Sequence, residues 1–259
     1  MRLASINFAL AAMHTHKLPW VYISKNSKYF RNKIGLSNFM KAGIIFLSFI
    51  TILNSAFGQD TTYNSVIKQL ITIDELDQRY RNQIDYIESK YGKNSEEIKT
   101  LFKSMNEADS INLIQVEAII EKYGWLGYNQ IGSQANTALF MVIQHSNLKT
   151  WQNYLPIIQI ALKNGNAKAS QLALLQDRLN LFEGRKQNFG SQIIWSIGKN
   201  KYLVLPLNDP DNVDKRRKEV GLSTLAEYLG NWNIKWNVED YKKELPQIIE
   251  ECKKYFGKK

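Results

Sequence analysis

The chain has 259 residues, with 34 Lys and Arg against 24 Asp and Glu, which gives a formal net charge of +10. Every acidic residue lies after position 58, and the first 58 residues carry 7 basic ones, so residues 59–259 hold 27 basic against 24 acidic residues. A surplus this small removes the main argument for a nucleic-acid partner. Beyond residue 58 the chain keeps only His145 and Cys252 of its histidines and cysteines, which excludes a disulfide framework and a multi-His or Cys/His zinc site. We predict no metal and no other cofactor.

An apolar run of 12 residues, 42–53, follows Lys41 and precedes the small residues Ala56 and Gly58. A basic start, a short apolar stretch and small residues at −3 and −1 are typical of a secretory signal peptide. Twelve residues are too few for a membrane-spanning helix, which needs roughly 20. We therefore expect residues 40–58 to be a signal peptide, and the protein to be exported to the periplasm or secreted, with no stable membrane anchor after cleavage.

Residues 1–39 do not fit in front of such a signal. They carry six basic residues, no acidic ones and no clear periodicity, whereas Met40-Lys41 is a natural start for a signal peptide. We expect residues 1–39 to be upstream sequence that is not part of the native protein. The alternative is a long basic extension before the signal.

The region 59–259 is predicted to be one mainly helical domain. Apolar residues recur at helical spacing over 64–91, with Gly92 after them, and further helices are expected over 94–102, 107–123, 133–146, 148–163 and 167–183. Asn94 with Glu97 resembles a capping box at one of these starts. Short connections predict antiparallel neighbours, so the fold class is mainly α, an antiparallel helical bundle.

One β-hairpin is predicted near residues 191–207, where the apolar period changes to two. Residues 191–197 and 201–207 alternate apolar positions around a Gly-Lys-Asn turn. A lone hairpin is marginal, so we expect it to pack on the helices. Asp209-Pro210 is predicted to begin a short helix, Thr224 with Glu227 to cap another, and Pro246 to break or restart the last one, 238–256.

Several polar residues stand where the pattern predicts a core. Gln144-His145-Ser146 ends an apolar run, and Asp177-Arg178 interrupts another. Buried charges need partners, so we expect His145 to lie within reach of Asp177 or Arg178, beneath the loop 185–192, with the hairpin as one wall of a cleft. No phosphate-binding loop, dinucleotide motif or nucleophile elbow is present in the sequence.

Six short motifs, taken in order over most of residues 70–230, resemble a family of bacterial domains of unknown function that occur alone or behind export signals. The motifs are Asp77-Gln78-Arg79-Tyr80-Arg81, Gly124-Trp125-Leu126-Gly127, Gln144-His145-Ser146, Asp177-Arg178, Gln187-Asn188-Phe189-Gly190-Ser191-Gln192, and Asp209 through Asp214 with Arg216-Arg217 and Gly221-Leu222. Leu126 and Phe189 depart from the family's usual Pro and Tyr. The resemblance implies no activity.

Two functional hypotheses follow. In the first, the chain is an exported enzyme, a hydrolase or transferase for a small polar or anionic ligand. The residues we assign to it are His145 as general acid or base, Asp177 to orient it, Arg178 to hold an anionic group, and Asp77, Arg81, Gln144, Gln187 and Gln192 to bind the ligand. In the second, the chain is a non-catalytic scaffold or a module that binds a protein partner, and the same residues form a buried structural network.

Overall fold

The computed structural model describes residues 63–196 and 199–256, with side chains through Lys253. The predictions for residues 1–39 and 40–58 lie outside these residues. The first part is a helical bundle, and its helices are α1 (Asn64–Arg81), α2 (Ile84–Tyr91), α3 (Glu96–Tyr123), α4 (Tyr128–Gln144), α5 (Leu148–Lys163) and α6 (Ala169–Phe182). Helix α1 packs on α3 and α4, and α5 packs on α6, so the predicted mainly α class is confirmed.

A small hairpin follows the bundle, as the alternating apolar pattern predicts. Strands β1 (Ile193–Ser196) and β2 (Lys201–Val204) are antiparallel, with Ile193 opposite Val204. A 3₁₀ turn, Pro210–Asn212, leads to α7 (Val213–Glu219), α8 (Leu225–Gly230) and α9 (Val238–Phe256). Among the described residues, no helix is long and apolar enough to cross a membrane.

Two of the predicted helix boundaries in the bundle were wrong. The stretch 64–91 is two helices, because the amide of Gln83 bonds to the carbonyl of Tyr80 and the regular i to i−4 pattern ends there. Conversely, residues 96–123 form one helix of 28 residues, not two. Its N-cap is Ser95 instead of Asn94, and the Ser95 side chain accepts from the amide of Ile98 at 3.2 Å.

One prediction in the C-terminal part was also wrong, and another holds for position alone. Asp209 occupies the N-cap position of the 3₁₀ turn with Pro210 after it, as predicted, but its side chain caps no backbone amide. Its backbone is left-handed (φ 39°), and its carboxylate accepts from the side-chain amide of Asn212 and pairs with Arg216. Pro246 does not interrupt α9, since buried Tyr241 and Ile248 hold the helix on both sides of it. The capping box of Thr224 and Glu227 is confirmed at the start of α8.

In the described part of the chain, the buried apolar side chains form three clusters. The bundle cluster lies among α1 and α3–α6 and includes Leu70, Val116 and Leu139. A small cluster lies at the other end of α1 and α3, around Ile84, Ile98 and Met105. The hairpin cluster joins β1 and β2 to α8 and α9, so the hairpin packs on helices as expected.

Candidate functional site

A layer of polar side chains separates the bundle cluster from the small cluster. On α1, Asp77 and Arg81 lie between Ile73 of the bundle cluster and Ile84 of the small cluster. On α3, Asp109 and Asn112 occupy the corresponding place between Met105 and Val116. The ends of α4 and α6 add the remaining members, Gln144, His145 and Arg178. We call these seven residues the polar layer: Asp77, Arg81, Asp109, Asn112, Gln144, His145 and Arg178.

The closest contact in the polar layer joins His145 to Asp77. Nδ1 of His145 lies 2.7 Å from Oδ1 of Asp77, and both side chains are about 1% exposed. Since a carboxylate only accepts, Nδ1 carries the proton, and the lone pair of the neutral ring is on Nε2. Burial, and then the charge of Arg81, lowers the pKa of His145 to about 4 against the opposing effect of Asp77, so the ring is neutral at pH 7.

Arg81 connects two carboxylates from different helices. Its guanidinium donates to both oxygens of Asp109 at 2.9 and 2.7 Å, and lies 3.2 Å from Oδ1 of Asp77. Burial would raise the pKa of Asp77, but His145 and Arg81 together lower it. Burial raises the pKa of Asp109 to about 6, although Arg81 opposes this.

The same carboxylates and His145 have a spacing that could suit a metal ion. One ligand atom from each of Asp77, Asp109 and His145 lies within 4.8 Å of the others. The guanidinium of Arg81, however, contacts both carboxylates and supplies the positive charge that they need. The residues present therefore fit a metal ion poorly, because the ion would compete with a fixed cation.

Arg178 brings a second guanidinium to the polar layer. Only 3% of the residue is exposed, and the guanidinium carbon lies 5.5 Å from the centre of the Trp151 ring. Burial, and then the charge of Arg81, lowers the pKa of Arg178 to about 9, and Arg178 in turn helps to lower the pKa of His145. The charge of Arg178 therefore interacts with both Arg81 and His145.

Asp177 belongs to a second network, away from His145. Its carboxylate accepts from the backbone amides of Asn188 (2.7 Å), Phe189 (3.1 Å) and Ser191 (3.0 Å). Burial raises the pKa of Asp177, although the same amides partly oppose it. We expected His145 to lie within reach of Asp177 or Arg178. The pairing with Asp177 is corrected, because Asp77 holds His145 and Asp177 fixes the loop 185–192. Arg178 does act on His145 through its charge.

Gln187 and Gln192 lie in this second network as well. The Gln187 side chain donates to the carbonyls of Gln192 (3.0 Å) and Leu205 (2.8 Å) and accepts from the amide of Gln192. The Gln192 side chain donates to the hydroxyl of Ser191 at 3.0 Å. The structure thus places Gln187 against the hairpin backbone and Gln192 beside Ser191, whereas Gln144 is buried at the end of α4, next to His145 in sequence.

The arginines of the motif 209–222 also fasten the loop 185–192. Arg217 is 1% exposed and donates to the carbonyls of Phe189 and Ser223, each at 2.6 Å. Arg216 donates to the carbonyl of Asn188 at 2.9 Å. Gly190 fits here because its φ is +67° and an added Cβ would lie 3.0 Å from Cδ1 of Leu225.

Asp109 and Asn112 were not predicted from the sequence, although a signal for them was present. Both lie at helical spacing from buried Met105 and Val116, so they are polar residues on the apolar face of α3. The same criterion had singled out His145 and Asp177.

A model of a protein family of unknown function, DUF6624, matches residues 64–237, and the chain belongs to this family. No curated protein and no solved structure matches the chain.

Proposed function

We propose that this member of the family binds a small anionic ligand at the polar layer, with Arg178 and Arg81 as the positive charges and His145 as the group that takes up a proton. The observation that carries the proposal is the position of His145. It is held through Nδ1 by Asp77 at 2.7 Å and lies within the electrostatic influence of two buried guanidinium groups. Asp177, Gln187 and Gln192 have no part in this proposal, because their side chains bind the loop 185–192 and the hairpin.

Charge is the first support for an anion. Arg81 bonds to Asp77 and Asp109. The burial of Arg178, and then the charge of Arg81, disfavour the charged form of Arg178. Two buried like charges repel, and in a site of low dielectric an anion between them is attracted more strongly than in water. Arg178 is therefore the residue we assign to the anionic group.

Proton chemistry is the second support. The hydrogen bond to Asp77 places the lone pair of the neutral His145 ring on Nε2, the arrangement of a general base. A bound anion would raise the pKa of His145 from about 4, since it offsets the charges of Arg81 and Arg178 that add to the effect of burial. Binding should therefore be accompanied by proton uptake at Nε2, which would turn the ring from a general base into a general acid for a hydrolase or transferase reaction.

Two parts of the proposal concern access and location. Of the carboxylates bonded to Arg81, Asp109 is the more exposed, with 12% of its side chain accessible, so we place ligand entry beside it. We also propose export to the periplasm or the exterior of a bacterial cell, supported by the signal-like pattern of residues 40–58.

The structural network is the second candidate function, favoured by burial. Asp77, Arg81 and His145 are each 3% exposed or less, which is typical of residues that only stabilise the fold. In that case the chain is a scaffold or a module for a protein partner, and the polar layer would bind no ligand.

The affinity of the variant Arg178→Gln for anions distinguishes the anion site from the structural network. Inorganic phosphate, sulfate and acetate are titrated calorimetrically in buffers of different ionisation enthalpy, which also reports proton uptake. Arg185→Gln is the matched control, because Arg185 lies just after α6 and is exposed. We expect anions to bind the wild type and Arg185→Gln with proton uptake, and to bind Arg178→Gln at least about tenfold more weakly.

His145→Ala provides the complementary readout. If His145 is chiefly a ligand-binding group, the melting temperature should change little, whereas loss of a structural network member should cost about 1–3 kcal/mol. Equal anion binding by the wild type and Arg178→Gln, or no binding to either, would refute the anion site and favour the structural network.

A further inference from the structure

We propose that Asn112 is a specificity-determining residue of the same site and binds a hydroxyl group of the anionic ligand. This inference rests on the proposed function and adds the class of ligand, a hydroxylated anion. It is based on buried amide side chains near the charged residues.

Asn112 is a buried amide whose hydrogen-bonding capacity is unmet. It is 1% exposed, and neither its Nδ2 nor its Oδ1 has a hydrogen-bond partner among the described residues. Leaving a buried amide unsatisfied destabilises the fold, because its polar atoms lose their hydrogen bonds to water and gain none in return. A leucine, which has the same branched arrangement of heavy atoms, would avoid that cost, so an asparagine at this position suggests a partner that is not part of the chain.

The position of Asn112 places it beside the charged residues. It lies one helical turn from Asp109 on the same face of α3, and Asp109 is bonded to Arg81. Asp77 lies one turn before Arg81 on α1, and α1 packs against α3. The amide of Asn112 is therefore in the layer that contains the Asp77–His145 contact.

Two further amides show the same deficit next to the charged groups. Gln144 directly precedes His145, is 1% exposed, and has a buried Oε1 without a hydrogen-bond partner among the described residues. Gln78 donates from Nε2 to Oδ2 of Asp77 at 2.7 Å, while its buried Oε1 accepts from no described residue. Gln144 is thus the sequence neighbour of His145, and Gln78 is the sequence neighbour of Asp77.

The unmet groups define what the ligand must offer. The amide oxygens of Asn112, Gln144 and Gln78 need donors, and Nδ2 of Asn112 needs an acceptor. A hydroxyl group both donates and accepts, whereas an ionised carboxylate only accepts. A site that must hydrogen-bond a hydroxyl discriminates strongly against the analogue that lacks it, because its own buried groups then stay unpaired.

Glycolate and acetate test this inference, since they differ by one hydroxyl. Their affinities are measured calorimetrically for the wild type, for Asn112→Leu and for the matched control Gln115→Leu. The control removes an amide from the same helix, but that amide is bonded to Gln69 at the surface. We expect the wild type and Gln115→Leu to bind glycolate at least about tenfold more tightly than acetate. Asn112→Leu should lose that preference and bind acetate as the wild type does.

Folding of the variants is checked by thermal unfolding. Asn112→Leu removes unmet polar groups and should melt at or above the wild-type temperature; Asn112→Ala serves if the leucine variant does not fold. Equal affinity of the wild type for glycolate and acetate, or a preference that persists in the Asn112 variants, overturns the role of Asn112 and leaves the anion site standing. If phosphate, acetate and glycolate all fail to bind the wild type, the proposed function fails and this inference fails with it.

Discussion

Replacing Asp177 by Asn should destabilise the protein strongly, because one carboxylate satisfies three backbone amides. Oδ1 accepts from Asn188 at 2.7 Å and Phe189 at 3.1 Å, and Oδ2 accepts from Ser191 at 3.0 Å. An asparagine keeps only one acceptor oxygen. Its NH₂ group cannot accept a hydrogen bond and would face a backbone N–H. Hydrogen bonds to a charged group are worth about 1.5–3 kcal/mol each, and Ser191 is too deeply buried for water to take over.

We therefore expect Asp177→Asn to lower the free energy of unfolding by about 3 kcal/mol or more, a large share of the roughly 5–15 kcal/mol of a typical domain. Urea denaturation followed by tryptophan fluorescence measures it. Asp211→Asn is the matched control, since the Asp211 side chain is 53% exposed and pairs only at the surface with Lys242, so its loss should stay within about 0.5 kcal/mol. If Asp177→Asn came within 0.5 kcal/mol of the wild type, the assignment of Asp177 to the loop would be untenable.

Two further predictions concern backbone strain and pH. Gly190→Ala should lower the free energy of unfolding by about 1 kcal/mol more than Gly184→Ala, because both glycines have positive φ but only at Gly190 would the new Cβ meet a neighbour, Leu225; equal losses in urea denaturation would contradict this. Asp109 has a folded pKa of about 6, above the roughly 3.9 of an unfolded chain, so its contribution to stability is full below about pH 4 and is lost as the pH rises through about 6. The stability of the wild type relative to Asp109→Asn should therefore fall by up to about 3 kcal/mol between pH 4 and 7, and a difference that does not change with pH would show that burial does not govern this carboxyl.

Helix content was predictable because it depends on local periodicity. The apolar spacing of residues 148–163 and the Thr224–Glu227 capping box act within one or two turns of chain, and both agree with the structure. The break after Arg81 was not predictable, since the apolar spacing continues across it from Tyr80 to Ile84. The continuity of α9 through Pro246 likewise depends on packing with the hairpin cluster.

The candidate site was predictable in part as a set of residues, since Asp109 and Asn112 were missed, and it was not predictable as a set of pairs. A polar residue within an apolar run signals burial, and this is how His145 and Arg178 were found from their neighbours in sequence. The cost of burial says that each needs a partner but does not say which one. The same signal singled out Asp177 as a partner, whereas the observed partner, Asp77, is 68 residues from His145 and is brought there by the packing of α1 on α4.

The polar layer also has a consequence for how the fold can open. Helices α1 and α3 run through both the bundle cluster and the small cluster, and the polar layer keeps these two apolar clusters from merging. Apolar packing is what makes neighbouring segments unfold together, so a region separated from the bundle cluster by a layer of ion pairs can exchange its amide hydrogens by partial opening. Helix α2 and the first turns of α3, around Ile98, would form such a unit. Its opening would stop at Arg81 and Asp109, and would bring water to the edge of the polar layer without unfolding the bundle.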